Sequence, residues 1–271
     1  MNKKIIILLL VSVALIFSCQ KKESSSSLDE GYIGETIEVQ PSATASASIT
    51  EQGFALAVNT GFYIMSGDDT GDEKTKTKWA DSIFLGDRVL VGNTRKMTFE
   101  NENKVYEFTE IRRLDKNTEG YALAWQIAKN GQLAVVIGEN TSLYRTARII
   151  DVSGTILTRR SVVVYYPETE TDGFVQVKGY DIGRKQYVSD NNSYIRFDTL
   201  SRRESDIQSA IHLQTALALT RERDATQREF LLTTALEHFP DSVFYSEVFE
   251  TAFPNSNIDA HSHTETESHN D

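Results

Sequence analysis

The residues best suited to metal chemistry lie together at the C-terminus, in the segment HSHTETESHND. His261, His263 and His269 are interspersed there with Glu265 and Glu267, and imidazole and carboxylate groups are ligands for divalent transition metals. Nothing in the segment fixes their geometry, and polar segments of this composition are usually disordered. A metal-binding tail and a plain acidic tail both stay open, and the second is the expectation: the chain is predicted to hold no metal and no cofactor.

The rest of the chain offers few groups for catalysis. It has no Gly-x-Ser-x-Gly elbow, P-loop or dinucleotide fingerprint, and residues 53–200 contain no histidine. His212 and His238 fall in predicted helices, where both placements are ordinary. The single cysteine, Cys19, follows an apolar run near the N-terminus. The sequence therefore predicts a protein that is not an enzyme.

The segment before Cys19 has the composition of an export signal. Lys3 and Lys4 precede an apolar run at 5–17, which is shorter than the roughly 20 residues that a membrane-spanning helix needs. A charged start, a short apolar run and a small residue, here Ser18, are the anatomy of a secretory signal. The segment is therefore predicted to direct export.

The letters IFSC at 16–19 resemble the lipobox of bacterial lipoproteins, in a looser form similar to those of spirochaetes. The resemblance implies that residues 1–18 are removed and that Cys19 carries a diacylglyceryl thioether and an N-acyl chain. Each buried methylene contributes about 0.8 kcal/mol, and stable anchoring takes more than one acyl chain. The alternative is a plain secretory signal that ends beside a cysteine. The predicted location is the bacterial cell envelope, with the membrane as a partner through the lipid on Cys19.

Residues 19–50 are rich in Ser, Ala and Thr, a composition that buries too little apolar area to fold and is typical of a disordered tether. The whole chain carries a formal net charge of −11. This charge argues against nucleic acid as a partner, because phosphate binding needs clustered Lys and Arg. A single cysteine also excludes internal disulfides, so apolar cores must hold the fold.

Residues 53–200 alternate with a period of two. Phe54, Leu56 and Val58 share one face of GFALAVN, and Val175 and Val177 share one face of FVQVKGY. Turn segments such as KNG punctuate the region. Many short strands with frequent turns indicate small β-sandwiches or barrels.

This β region also resembles itself. AVNTGFYIMS (57–66) aligns with IGENTSLYRT (137–146), SIFLGDRVLV (82–91) with TILTRRSVVV (155–164), and GYALAWQIA (120–128) with QYVSDNNSY (186–194). The alignment places Tyr63 over Tyr144, Gly86 over Arg159, Val89 over Val162 and Tyr121 over Tyr187. A tandem repeat is the prediction, and a single copy with chance matches is the alternative.

The order of these features resembles the bacterial SH3-like domain. The matching segments are LYRTA (143–147), GDRVLVG (86–92) and GYALA (120–124), whereas the second copy has Gln186 where glycine is usual. The resemblance implies a mainly β fold: two SH3-like β-barrels of five to six strands, followed by a short α-helical C-terminal unit. Such domains are typically binding modules rather than catalysts.

After residue 200 the apolar period becomes helical. SRRE (201–204) predicts a capping box in which Ser201 starts a helix. Asp224 is predicted to start a second helix, Pro240 to end it, and the segment 241–253 to form a third. The phrase ALEHFPDSVFY resembles a boundary between tetratricopeptide repeats, but a solenoid needs about three repeats. A helical hairpin or three-helix unit packed on the second barrel is therefore expected.

The predicted organisation has six parts. They are a lipoprotein signal peptide (1–18), a disordered tether (19–50), SH3-like barrel 1 (51–129), SH3-like barrel 2 (130–200), a helical unit (201–254) and a disordered acidic tail (255–271). Exposed aromatic side chains on small barrels bind glycans and peptides. The candidate ligand-binding residues, which lie near predicted loops or strand ends, are Trp79, Tyr106, Trp125, Tyr166 and Tyr180.

Three hypotheses about function follow. The first is a non-catalytic lipoprotein that binds cell-wall peptide or glycan through its barrels. The alternative is a scaffold that docks an envelope protein through its C-terminal helices, and the acidic charge favours it because peptidoglycan also carries carboxylates. An enzyme of unfamiliar type is the third.

Overall fold

The computed structural model of the chain describes residues 49–67, 74–181, 183–189 and 192–254. These residues belong to one compact unit. The predicted signal peptide, Cys19, the tether up to residue 48 and the tail at 255–271 lie outside the described residues. The fold is mainly β, with two sheets followed by three helices.

The first sheet contains seven strands. In chain order they are β1 (Glu51–Ala55), β2 (Thr60–Met65), β3 (Lys76–Ile83), β4 (Arg88–Phe99), β5 (Val105–Arg113), β6 (Glu119–Leu123) and β7 (Ile127–Lys129). Their order across the sheet is β3-β2-β6-β5-β4-β1-β7, and β3 also pairs with the far end of β4. That additional pairing is parallel and joins Lys76 to Thr98 and Thr77 to Phe99. A 3-10 turn, Ala124–Gln126, separates β6 from β7.

The second sheet contains eight strands. They are β8 (Gln132–Val136), β9 (Asn140–Tyr144), β10 (Val152–Thr158), β11 (Val162–Thr171), β12 (Phe174–Asp181), β13 (Gln186–Val188), β14 (Tyr194–Arg196) and β15 (Leu200–Ser201). Their order is β10-β9-β14-β12-β11-β8-β15, with β13 attached to β12. A second 3-10 turn, Phe197–Thr199, precedes β15. The KNG segment is a turn with Asn130 at φ 55°, but it links the two sheets rather than two strands of one hairpin.

The two sheets have the same strand order. If β13 is left out, the two strand orders match place by place. In the order in which they lie across the sheet, β10, β9, β14, β12, β11, β8 and β15 correspond to β3, β2, β6, β5, β4, β1 and β7. Both also place a 3-10 turn directly before the last strand, and that strand pairs with the first strand of its own sheet. We call residues 51–129 the first repeat and residues 132–201 the second repeat.

The register shows which residues correspond. Tyr63 pairs with Tyr121 in the first repeat, and Tyr144 pairs with Tyr194 in the second. The alignment of Tyr63 with Tyr144 is therefore confirmed. The alignment of Tyr121 with Tyr187 is wrong, because Tyr187 lies in β13, a strand with no counterpart among the described residues of the first repeat.

A tight turn that occurs in both repeats shows that the alignment of Gly86 with Arg159 is wrong by one residue. The amide of Gly86 donates to the carbonyl of Ala55 at 2.9 Å, and the amide of Arg160 donates to that of Val136 at 2.8 Å. Both turn residues have positive φ, 82° and 74°. Arg160, not Arg159, therefore holds the place of Gly86. Glycine adopts this conformation at little cost, whereas arginine is strained in it.

Strand β11 explains how the two repeats pack. Its residues Val162 to Tyr166 are all buried, although a strand with one solvated face would alternate. Val163 and Tyr165 face the core of the second repeat. Val164 and Tyr166 instead contact Phe54, Leu56 and Ala128 of the first repeat. The first five residues of β11 are thus covered on both faces.

The C-terminal helices are α1 (Glu204–Ala218), α2 (Ala225–His238) and α3 (Tyr245–Ala252). All three fall where the periodicity predicts them. The predicted capping box is wrong: Ser201 is in β15, and α1 begins after Arg203 with no side-chain cap. The Ser201 hydroxyl instead donates to the buried Asp206 carboxylate at 2.5 Å. This bond ties the helix to the strand that precedes it.

The helices cover the junction of the two repeats. Ile207 and Phe244 pack with Leu85 of the first repeat and with Val135 and Val162 of the second. Charged contacts secure the edge of this cluster, since Glu247 pairs with Arg159 at 2.6 Å and with Arg160 at 3.2 Å. The Arg159 guanidinium also lies 4.9 Å from the centre of the Phe244 ring. The sequence predicts that the helical unit packs on the second barrel, and in the structure it contacts both repeats.

Candidate ligand-binding site

The first repeat carries a row of aromatic rings, which we call the aromatic row: Tyr63, Phe99, Tyr106 and Trp125. The ring centres of Phe99 and Tyr63 are 5.1 Å apart, those of Phe99 and Tyr106 4.9 Å, and those of Tyr106 and Trp125 6.1 Å. Such tilted pairs at this separation are favourable aromatic contacts. The row runs from strand β2 to the 3-10 turn.

The long β4–β5 hairpin positions the middle of the row. Met97 pairs with Tyr106 across the hairpin. Met97 and Phe108 are fully buried, and the half-buried rings of Tyr63, Phe99 and Tyr106 pack on the cluster they form. The row is therefore fixed from below by the core of the repeat. Trp125 enters from the 3-10 turn and is 38% exposed.

Polar groups border the row at Tyr106. Its hydroxyl donates to the Glu102 carboxylate at 2.8 Å, and this hydrogen bond raises the pKa of Tyr106. Burial raises the pKa of Tyr63, and the charge of Glu102 adds to the rise. The Lys104 ammonium lies 5.0 Å from the centre of the Tyr106 ring. An apolar surface bordered by one carboxylate and one ammonium suits a neutral or mixed-charge peptide or a sugar.

A pair of tyrosines from the second repeat lies beside this surface. The rings of Tyr180 in β12 and Tyr187 in β13 are 4.7 Å apart. Burial raises the pKa of Tyr187, the neighbouring Gln126 side chain opposes the rise, and the hydroxyls of Tyr180 and Tyr63 add to it. The Tyr187 ring packs on the cluster that joins the two repeats, and its side chain is hydrogen-bonded to Gln126, the residue after Trp125. The Oε1 atom of Gln126 is buried and accepts no hydrogen bond from the described residues.

The structure brings only part of the predicted set together. Tyr106 and Trp125 are neighbours in the aromatic row, and Tyr180 lies in the adjacent tyrosine pair. Trp79 is 63% exposed on β3 and makes no ring contact among the described residues. Tyr166 is 8% exposed and packs in the core between the repeats. Its selection as an exposed ligand contact is wrong, because residues 162–166 of β11 are covered on both faces.

Sequence reasoning missed Tyr63, Phe99 and Tyr187 as members of this surface. The internal alignment already singled out Tyr63 by matching it to Tyr144. No sequence signal identified Phe99, because it reaches the row only through the length of the β4–β5 hairpin. Tyr187 reaches it through β13, which the repeat pattern does not predict.

Three clefts lie elsewhere on the described residues. A cleft of about 410 Å³ in the first repeat contains Arg95, which binds the Tyr121 hydroxyl at 2.5 Å and Glu110 at 3.1 Å. Two clefts of about 540 and 630 Å³ in the second repeat share Leu200 and Arg202. Among the described residues, no group of three or more His, Cys, Asp or Glu side chains could hold a metal ion. Within the same residues, no helix has the length and hydropathy needed to cross a membrane.

Comparisons with known proteins do not identify a family for this chain. No family profile matches the chain, and no curated protein is similar to it. The solved structures with weak similarity include NlpC2 and NlpC1 from Trichomonas vaginalis, at 14% and 12% identity and TM-scores of 0.20 and 0.21. The matches span 63% and 62% of this chain and 57% and 54% of those chains. With TM-scores this low, neither match indicates a shared fold or activity.

Proposed function

We propose that this chain is a lipid-anchored, non-catalytic binding protein of a bacterial cell envelope, and that its first repeat binds cell-wall peptide or glycan. In this proposal both repeats are SH3-like barrels. The shared strand order supports it, as does the 3-10 turn before each closing strand. The parallel pairing of β3 with β4 also brings the two ends of a five-strand set together in the first repeat.

The aromatic row is the observation that carries the binding proposal. Tyr106 and Trp125 present neighbouring ring surfaces that the core beneath them keeps in place. Flat rings stack on sugar faces and on extended peptides, and a preordered surface loses little entropy when a ligand binds. Glu102 and Lys104 can accept from and donate to the polar groups of the same ligand.

The anchor and the location rest on the sequence alone. Cys19 and the residues before it lie outside the described residues, so the lipobox resemblance is their support. A mature protein that partitions into detergent and incorporates labelled palmitate, and that loses both properties on Cys19→Ser, would support the anchor. Incorporation that persists in the variant would contradict it.

Co-sedimentation with purified sacculi tests the binding proposal. Trp125→Ala should lower the affinity about tenfold or more, since removing a tryptophan that contacts the ligand costs about 1–2 kcal/mol. Trp79→Ala is the matched control, because Trp79 is an exposed tryptophan of the same repeat outside the aromatic row. The chain has two tryptophans, so Trp79→Phe also leaves a fluorescence signal that reports on Trp125 alone. Absence of binding, or equal losses in both alanine variants, would overturn the proposal.

A second function has one observation in its favour. Tyr245 and Phe249 lie in α3, Phe253 directly follows it at the same spacing of four, and all three are exposed. Such a stripe suits docking of an envelope protein through the helices. Crosslinking from position 249 to a specific partner, abolished by Phe249→Asp, would support this function, whereas unchanged crosslinking in that variant would exclude it.

A further inference from the structure

The loop between β9 and β10 in the second repeat, residues 145–151, is closed at its base by Asp151. The amide of Arg145 donates to the Asp151 carbonyl at 2.8 Å. The Asp151 carboxylate accepts hydrogen bonds from the Thr146 hydroxyl and the Arg148 guanidinium, and these bonds lower the pKa of Asp151. The loop is thus held in one conformation by its own polar groups.

Two consecutive side chains of this loop are apolar and exposed to solvent. Ile149 is 63% exposed and Ile150 is 77% exposed. We call these two residues the apolar tip. Single exposed apolar residues are common on proteins, but two consecutive isoleucines this exposed are not.

The fold itself does not require an apolar tip. In the first repeat the same connection leads into the start of β3, where Lys76 and Thr77 are paired with β4 and Thr77 is fully buried. In the second repeat, no described residue of β10 pairs with β11. Strand pairing in the second repeat therefore does not require isoleucines at positions 149 and 150.

Four arginines and three aspartates, Asp151, Asp172 and Asp198, lie in this loop and the neighbouring cleft, in a chain whose net charge is −11. Arg145 and Arg148 precede the apolar tip in sequence, and Asp151, the nearest acid of the loop, is already paired with Arg148 at 2.6 Å. Ile149 also lines the neighbouring cleft together with Arg196 and Arg202. Arg196 pairs with Asp198 at 2.5 Å.

Arg202 differs from the other arginines of this cleft. It lies 4.5 Å from the centre of the Phe197 ring and forms no ion pair with a described carboxylate. Asp172 lines the same cleft. The surface beside the tip therefore combines arginines that are only partly neutralised with an exposed aliphatic pair.

We propose that the loop 145–151 is a membrane-contact site for an anionic bilayer. Ile149 and Ile150 insert at the boundary of headgroups and acyl chains, and Arg145 and Arg202, which form no ion pair with a described carboxylate, bind lipid phosphates beside the tip. Aliphatic side chains bordered by basic residues are the combination that interfacial binding uses, and the guanidinium fork matches phosphate oxygens. This contact does not depend on a lipid at Cys19 or on ligand binding by the aromatic row.

Site-specific fluorescence on the full chain tests this proposal. In a Cys19→Ser background, which removes the single native cysteine, an environment-sensitive dye is attached through Ile150→Cys. Leu217→Cys, an exposed position on α1, carries the same dye as the control. Vesicles of phosphatidylcholine alone and of phosphatidylcholine mixed with phosphatidylglycerol are the two surfaces. The apolar segment at 5–17 is common to every variant, and the vesicles of phosphatidylcholine alone control for any attachment that it produces without anionic lipid.

We expect a blue shift, and quenching by lipid-borne quenchers, at position 150 and not at position 217, with the mixed vesicles. Arg145→Glu combined with Arg202→Glu should lower the vesicle affinity of the tip by about tenfold, since each basic residue contributes about 1 kcal/mol at an anionic surface. This variant keeps the pairing of Arg148 with Asp151 that holds the loop. Ile149→Leu should leave the signal unchanged. Equal signals at both positions, or none at 150, would overturn the proposal. A blue shift at 150 that rises with protein concentration without vesicles would identify a second copy of the chain as the partner instead.

Discussion

The two repeats share a strand order but present different surfaces. Their 3-10 turns read AWQ and FDT, and each turn ends on a carbonyl that accepts from an equivalent amide, Leu56 to Gln126 and Ile137 to Thr199, both at 3.0 Å. Trp125 is thus matched by Asp198. The β4–β5 hairpin, which carries Phe99 and Tyr106, extends beyond its counterpart β11–β12, where Thr171 already pairs with Phe174. Backbone hydrogen bonds determine the strand arrangement that the repeats share. The side chains at the 3-10 turn and the length of the hairpin determine what each repeat can bind.

The largest test of this comparison concerns the buried phenylalanines. Phe108 and Phe174 hold equivalent places, but Phe108 supports two rings of the aromatic row, at 5.6 and 5.3 Å, and Phe174 contacts Tyr144 at 5.0 Å. Phe108→Ala should lower the free energy of unfolding by about 3–5 kcal/mol, and Phe174→Ala by about 1 kcal/mol less. Urea denaturation of both variants measures the difference. An equal or larger loss in Phe174→Ala would contradict the special role of the row.

A second test substitutes the residue with positive φ in each of the two tight turns. Gly86→Ala places a side chain at a φ of 82°, with the Ile211 Cδ1 atom 2.6 Å from the new Cβ. We expect a loss of about 1–2 kcal/mol in unfolding free energy from the left-handed backbone. Arg160→Gly relieves the same strain but removes the ion pair with Glu247, and partly exposed pairs contribute about 0–1 kcal/mol. Its net change should therefore be smaller, and a larger loss than that of Gly86→Ala would show that the ion pair dominates.

The smallest test uses pH. Asp81 accepts from Lys116 at 2.7 Å and from Arg113 at 2.6 Å, and these partners lower the pKa of Asp81 from 3.8 to about 2. A lowered pKa in the folded state stabilises the fold above pH 3.8, and this stabilisation is lost as the pH falls towards 2. Asp81→Asn should therefore weaken the dependence of unfolding free energy on pH between 4 and 2. Parallel curves for the variant and the parent chain would contradict this assignment.

The sequence predicts the frame of the fold better than the site. Alternation identifies strands such as β12, where Val175 and Val177 face the core, and the match of Tyr63 with Tyr144 reveals the repeat. The same reasoning fails at β11, since VVVYY gives no sign that a second repeat covers its outer face. It fails again at Phe99 and Tyr187, because hairpin length and an inserted strand bring these residues to the aromatic row.

The pairing of each closing strand with the first strand of its own repeat has a consequence for synthesis. A chain that emerges N-terminus first holds every strand of the first repeat once residue 129 is free, and every strand of the second once residue 201 is free. Leu85, Val135 and Val162 stay exposed at that stage, because Ile207 and Phe244, which pack on them, are synthesised later. Premature termination after the second repeat would leave two complete sheets with a bare apolar strip between them, open to self-association. The C-terminal helices cover this strip, and they can do so only after residue 252 has been synthesised.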